Sequence, residues 1–323
     1  MYSLSFTSDN SKIIMGCSNP NDIVIRAFNG DGSKTLHGHT KGVNSVDASM
    51  DEEILASSSE DATVKLWSIR ELKCTRTLQG HGESVYTVKI STDMKHVFSC
   101  SSDNTIKMWM IATGENIRTF KGHSVSVTSI DLFSDSKRLA SASRDGSIKI
   151  WNIENGRCMA TLTGHTDGIR SLSISPDNKR IVSGSYDNTI KVWNVATGKC
   201  ERTLEGHTNY VNSVMFHNNN TNIISGSWDN TVRVWDVNTG VCSIVLKDHT
   251  CYVLAVTASP NGRRVATGSI DRCVIIYDNP LYSFDYFQVW IISMENPKRK
   301  AKNGVIDFIP KEVVNLIGWY MLL

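Results

Sequence analysis

Residues 164–194 read Gly-His-Thr-Asp-Gly-Ile-Arg-Ser-Leu-Ser-Ile-Ser-Pro-Asp-Asn-Lys-Arg-Ile-Val-Ser-Gly-Ser-Tyr-Asp-Asn-Thr-Ile-Lys-Val-Trp-Asn, one of six copies of a single pattern. The copies are marked by His39, His81, His123, His165, His207 and His249, which recur every 42 residues. Each follows a Gly except His249, which follows Asp248. A period of this length is the mark of one supersecondary unit copied along the chain, so the repeat decides the architecture before any single residue does.

Fixed offsets from the His carry the same residue types. Eighteen residues on stands a hydroxyl: Ser57, Ser99, Ser141, Ser183, Ser225 and Thr267. Twenty-two on stands an acid: Asp61, Asp103, Asp145, Asp187, Asp229 and Asp271. Twenty-eight on stands an aromatic: Trp67, Trp109, Trp151, Trp193, Trp235 and Tyr277. Between them run short Val- and Ile-rich segments such as Ile190 to Trp193 and Val232 to Trp235, bounded by Gly, Asn, Asp and Ser, which predict strands joined by tight turns. Ser-Pro-Asp-Asn at 175–178 and Tyr-Asp-Asn-Thr at 186–189 supply the turn chemistry, because Asn and Asp tolerate left-handed backbone. Each unit is expected to be four antiparallel strands.

The Gly-His opening, the Ser-x-Ser-x-Asp turn and the closing Trp151-Asn152, Trp193-Asn194 and Trp235-Asp236 resemble the repeat signature of the WD-repeat β-propellers. The resemblance runs from residue 38 to about 278 and implies an all-β, seven-bladed propeller of four-stranded antiparallel blades. Six blades are clear, and a degenerate seventh is read at 1–37, with strands at Tyr2 to Phe6, Lys12 to Cys17, Ile23 to Phe28 and Lys34 to His37. Phe28 is read at its Trp position, and its His would precede Met1. Blades 2 to 7 are expected from 38 to about 292, with the last strand near Phe284 to Trp290. Many family members close the ring with a strand from the opposite terminus, but no N-terminal segment is expected to serve. Closure is then expected to rest on packing between blades 1 and 7 or on the tail, and the seam to be the weakest part of the ring.

Composition fits one soluble body. With 34 basic and 32 acidic residues among 323, the net charge of +2 sets up no field to attract nucleic acid or a membrane. Cys74, Cys158, Cys200 and Cys242 each stand seven residues after a Trp, so four of the eight cysteines are one position copied in separate blades, too far apart to bridge. No metal-ligand spacing appears, no metal or cofactor is expected, and reduced thiols point to the cytoplasm or nucleus. Asn219-Asn220-Thr221 fits a glycosylation sequon but is read as a turn. Residues 293–323 form a non-repeat tail. There Pro297 to Lys302 resembles a short nuclear import signal, and the apolar Val313 to Leu323 is too short to span a membrane. A short helix docked on the rim and an extension foreign to the propeller both fit it.

Ser, His and Asp are also the residue types of a nucleophilic triad. A hydrolase is nevertheless the remote reading, because an active site is needed once and nothing distinguishes one copy from the other five. The structural reading is that the His bonds the turn Asp while the hydroxyl links the His to the Trp indole, since buried polar groups must be paired. No residue is assigned to catalysis.

If the His loop and the Asp turn meet, they share one face of the ring. By resemblance to the family this face binds peptides, through the residue before the Asp and those three and five after the His. The first row is Glu60, Ser102, Arg144, Tyr186, Trp228 and Ile270; the second is Gly42, Ser84, Ser126, Gly168, Tyr210 and Tyr252; the third is Asn44, Tyr86, Thr128, Arg170, Asn212 and Leu254, with Tyr2 in the degenerate blade. Tyr186, Tyr210, Trp228, Tyr252, Leu254 and Ile270 gather on blades 5 to 7, beside Arg144 and Arg170. Aromatics and Arg dominate binding energy at interfaces. The expected partners are other proteins, through segments with apolar and acidic residues, with the propeller a monomer inside a larger complex. The expected function is an interaction scaffold; a substrate receptor for a ubiquitin ligase or a histone-modifying assembly is the alternative.

Overall fold

The computed structural model describes residues 3–28, 32–218, 220–278, 288–293 and 308–310. Seven antiparallel sheets follow one another along the chain, each a meander whose strands pair in sequence order. Blade 5 shows the pattern, with strands Ile169–Ile174, Arg180–Ser185, Ile190–Asn194 and Cys200–Leu204. Its second strand is buried from Ile181 onward, and its outermost strand is exposed except at Leu204. Asn178 and Asn188, at φ of 60° and 68°, make the left-handed turns that the turn chemistry requires.

The core is divided into seven clusters, one between each pair of neighbouring blades. Trp193 of blade 5, for example, packs with Phe133, Ile148 and Leu162 of blade 4. Each blade's Trp thus serves the interface with the preceding blade, as Trp67 does with Ile14 and Ile23 of blade 1.

Blade 1 departs from the expected alignment. In blade 2 Leu55 pairs with Trp67 and Ile54 with Ser68; in blade 1 Ile13 pairs with Arg26 and Lys12 with Ala27. Arg26, not Phe28, therefore stands in the Trp register: a 42-residue shift from Trp67 falls on Ile25, and the turn between the second and third strands is one residue longer there. Phe28 lies one step past the strand: its N–H bonds the Ser11 carbonyl as the Ile69 N–H bonds that of Glu53. Its ring packs 6.0 Å from Phe6 and 4.6 Å below the Arg264 guanidinium.

Blade 7 departs at its outer edge. Its fourth strand runs Gln288–Ser293, later than the expected Phe284 to Trp290, and Phe308–Pro310 adds a fifth strand from beyond the expected boundary at 292. Tyr277 pairs with Val289, whereas Trp193 pairs with Cys200, seven residues on. Blades 4 to 6 turn through Gly156, Gly198 and Gly240 at positive φ; the sequence carries Tyr282 at the matching position of blade 7. The import-like segment 297–302, Tyr2 and Val313 to Leu323 lie outside the described residues.

The first strands line the channel, and their outward N–H groups are met by side chains of the preceding blade. Val46 N–H bonds Ser3 Oγ, Leu172 bonds Ser129, Val214 bonds Ser171 and Val256 bonds Ser213, at 3.1 to 3.2 Å. Asp47 and Asp131 do the same for Ile90 and Ile174. At the seam the corresponding residue is Ala255, which has no hydroxyl to offer Leu4. The seam is closed instead by the apolar cluster of Leu4, Phe6, Ile13 and Met15 with Ala255, Ala266, Val274 and Ile276, which contains no Trp. Asn10 adds bonds to Asn261 N–H and the Arg264 guanidinium.

Ala255→Ser is expected to supply the missing acceptor and to raise resistance to denaturant by about 1 kcal/mol, the net worth of one hydrogen bond. Hydrogen exchange at the Leu4 amide checks the origin: slower exchange is expected, and an unchanged rate would mean that no bond forms.

Candidate functional site

In blades 2 to 6 the four marker residues form one hydrogen-bonded chain. In blade 2 His39 Nδ1 lies 2.8 Å from Asp61 Oδ2, His39 Nε2 lies 2.8 Å from Ser57 Oγ, and Trp67 Nε1–H donates to the same Oγ at 2.8 Å. His81, Ser99, Asp103 and Trp109 repeat it, as do His123, Ser141, Asp145 and Trp151. So do His165, Ser183, Asp187 and Trp193, and His207, Ser225, Asp229 and Trp235. The second Asp oxygen accepts from the residue two further on, as Asp61 Oδ1 does from Thr63 N–H and Oγ1. This fifth member was legible as Asp-x-Thr in blades 2, 3, 5 and 6 and as Asp-x-Ser in blade 4.

Blade 7 breaks the pattern at four places, two of which compensate each other. His249 still bonds Asp271 and Thr267, but Cys273 replaces the turn hydroxyl and the Tyr277 hydroxyl donates to Asp248 at 3.0 Å. In the other blades the residue before the His is Gly, since a Cβ there would meet the far edge of the indole; at Gly164 the distance to Trp193 would be 3.2 Å. Tyr lacks that second ring. The space admits Asp248, whose carboxylate then receives the phenol.

Burial alone would raise the tetrad carboxyls, but hydrogen bonds from the His, backbone N–H groups and, in blades 2 to 6, the turn hydroxyl outweigh it. They hold Asp61, Asp103, Asp187, Asp229 and Asp271 below the usual carboxylate range, and Asp145 at about 2. An ionised Asp can only accept, so Nδ1 carries the imidazole proton and Nε2 accepts from the hydroxyl. That is the bonding order of a Ser-His-Asp triad. Here each hydroxyl-bearing residue is fully buried, and in blades 2 to 6 its Oγ also holds the indole N–H, so no substrate can reach it.

The network brings the contact rows together. The residue before the Asp donates its N–H to the carbonyl three after the His, as Arg144 does to Ser126, Tyr186 to Gly168, Trp228 to Tyr210 and Ile270 to Tyr252. Their side chains then meet within blade 6 and across its boundaries with blades 5 and 7. Tyr186 and Tyr210 stand edge to face at 4.9 Å, Tyr210 and Trp228 are tilted at 51° with centroids 5.2 Å apart, and Trp228 and Tyr252 stack at 4.8 Å with 4° between planes. The Trp228 Nε1–H is buried with no hydrogen-bond partner among the described residues. Arg144 and Arg170 both lie over Tyr86, at 5.9 and 5.6 Å, and Arg144 also over Tyr186 at 6.0 Å.

Six consecutive stretches, 30–68, 72–110, 114–152, 156–194, 198–236 and 240–278, match the family described as WD domain, G-beta repeat. The chain belongs to the WD-repeat family. Over 69 residues this WD-repeat protein is 36% identical to pre-mRNA-processing factor 19 of Bos taurus and 35% identical to that of Homo sapiens. The aligned stretch covers 21% of this chain and 14% of those proteins, so the chain spans a small part of the curated relatives it matches.

Not every predicted contact joins the ladder. Glu60 is exposed on the same face but sits on blade 2, and Leu254 is only 7% exposed, in the channel wall. The fifth-after-His row divides. Asn44, Thr128 and Asn212 bond carbonyls of the next blade, at Val85, Ile169 and Leu254, and so join blades. The sequence reading also passed over Asp47, Lys89 and Asp131, which line the channel together, Lys89 lying 3.9 Å from each Asp. Among the described residues no helix is long and apolar enough to cross a membrane.

A Trp at position 277 would drive its second ring into Asp248. Tyr277→Trp is expected to cost about 1–3 kcal/mol, and adding Asp248→Gly to recover at least half of it, measured by denaturant unfolding as a double-mutant cycle; strict additivity would show the two positions to be independent. The tetrad carboxylates also set an acid limit. A group whose folded pKa is depressed stabilises the fold above its unfolded value, near 3.9 for Asp, and loses that contribution as pH falls toward the folded value. The denaturant midpoint is expected to fall between about pH 4 and about pH 2, and Asp145→Asn to show a shallower acid limb than the wild type.

Proposed function

We propose that this WD-repeat protein is a non-catalytic scaffold that binds peptide segments of partner proteins on the face bearing its Asp turns and His loops. The observation that carries the reading is the aromatic ladder of Tyr186, Tyr210, Trp228 and Tyr252. Blade packing does not require it, since the same positions in other blades hold Glu60, Ser102, Gly42 and Ser84. Trp228 even leaves its N–H buried without a partner among the described residues, a cost of about 1–3 kcal/mol that a residue chosen for stability would not carry. Tyr210, Tyr252 and Ile270 remain exposed along the ladder, an apolar anchor site with Arg144 and Arg170 placed for an acidic group. The expected setting is a larger assembly in the cytoplasm or nucleus, and the resemblance to a pre-mRNA-processing factor is compatible with the nuclear one.

Affinity purification followed by mass spectrometry tests the proposal. Trp228→Ala combined with Arg170→Glu is expected to lower recovery of the main partners about tenfold or more, in line with the loss of hot-spot residues. Met159→Ala, exposed on the outer strand of blade 4, is expected to leave recovery unchanged. Equal recovery by all three proteins would sink the proposal.

A further inference from the structure

We infer that the group received between Arg144 and Arg170 is a phosphorylated serine or threonine side chain; the inference rests on the docking face proposed above and specifies its ligand. The two arginines come from different blades, Arg144 from the turn of blade 4 and Arg170 from the first strand of blade 5, and converge on the ring of Tyr86 from blade 3. Two arginines of the same two blades are neutralised: Arg138 pairs with Asp135 and Arg180 with Glu201. Among the described residues neither Arg144 nor Arg170 has a carboxylate partner. Asp167, beside the Gly168 against which the Arg144 backbone packs, turns its carboxylate onto the Gly168 N–H.

Arg170 is also held in place. Its Nε donates to Asn212 Oδ1 at 3.1 Å, and Asn212 is anchored on the Leu254 carbonyl, so the terminal nitrogens of the guanidinium are left for a ligand. Two uncompensated charges sharing one ring repel, and the arrangement is relieved by an anion that meets both. A carboxylate carries one charge and two acceptor oxygens; a phosphoserine carries about −1.5 to −2 at neutral pH and three, which two guanidinium forks can share. The ladder sets the reach. From Tyr186, beside Arg144, its three steps of 4.9, 5.2 and 4.8 Å extend at most about 15 Å, which an extended peptide covers in about four to five residues at roughly 3.3 Å each.

The test uses the full chain, immobilised, and three peptide libraries with six random residues on either side of a fixed phosphoserine, serine or glutamate. The phosphoserine library is expected to be retained at least tenfold over the other two, with apolar residues enriched within about five positions of the phosphoserine. Arg144→Gln and Arg170→Gln, with thermal unfolding recorded to verify folding, are expected to bring retention to the serine level, and Arg180→Gln to leave it unchanged. Equal retention of glutamate and phosphoserine, or no retention of phosphoserine, overturns the inference. Arginine-dependent binding of a random RNA oligonucleotide without phosphoserine retention overturns it too, by assigning the site to nucleic-acid phosphates. Partner recovery that depends on Trp228 would survive any of these outcomes, so the docking face and its phosphate specificity stand or fall separately.

Discussion

One carboxylate, copied six times, holds the loop before each blade to the turn inside it. In blade 2 Asp61 accepts from four donors: His39 Nδ1 and Thr40 N–H on one oxygen, Thr63 N–H and Oγ1 on the other. An ionised carboxylate has about four acceptor sites, so the group is saturated. Its charge also orders what lies deeper. Because Asp61 cannot donate, His39 must, which leaves Nε2 to accept from Ser57 and the Ser57 oxygen to accept from Trp67. A charge near the surface thereby fixes how a buried indole is satisfied, and the indole anchors the core shared with the preceding blade.

The same constraint separates stability from recognition. The network fixes the backbone around the Asp and three residues after the His, through the N–H to carbonyl bond between them, while leaving their side chains undetermined. Chemistry can therefore change from blade to blade without disturbing the fold. Blade 2 presents Glu60 and Gly42 at these places; blade 6 presents Trp228 and Tyr210. Blade 7 shows that the network itself can be rewritten, with Tyr277 and Asp248 replacing Trp and Gly as a bonded pair.

The repeat made most of the fold legible because its markers are spaced by the blade and its turns use residues with few alternatives. What escaped reading follows from physical causes. Phe28 is the aromatic nearest to Ile25, where a 42-residue shift from Trp67 falls, but the turn before it is one residue longer, and only the pairing of Ile13 with Arg26 reveals the register. The serines of the first strands, such as Ser129 and Ser171, alternate with apolar residues and so look like a solvated face, whereas they receive backbone N–H groups of the next blade. Asn44, Thr128 and Asn212 share a row with Tyr86 and Arg170, and one row does two jobs. At the site itself the sequence placed aromatics on adjacent blades, but that Tyr186, Tyr210, Trp228 and Tyr252 touch in succession depends on how closely blades pack, which a single sequence does not encode.

The distribution of inter-blade bonds bears on why the ladder lies where it does. Between blades 4 and 5 Thr128, Ser129 and Asp131 all bond the next blade's backbone, and between blades 5 and 6 Ser171 and Ser173 do so. Ser213 and Asn212 join blade 6 to blade 7. The seam between blades 7 and 1 has Ala255 where a serine would stand and Arg26 where a tryptophan would, and relies on its apolar cluster. A surface assembled from four blades binds well only if those blades do not shift against one another, because ordering them on contact would subtract from affinity. The ladder and the two arginines span the closely bonded blades and end at Tyr252, before the seam, so the boundary that has an alanine and an arginine in place of the serine and the tryptophan lies outside the surface that must be rigid.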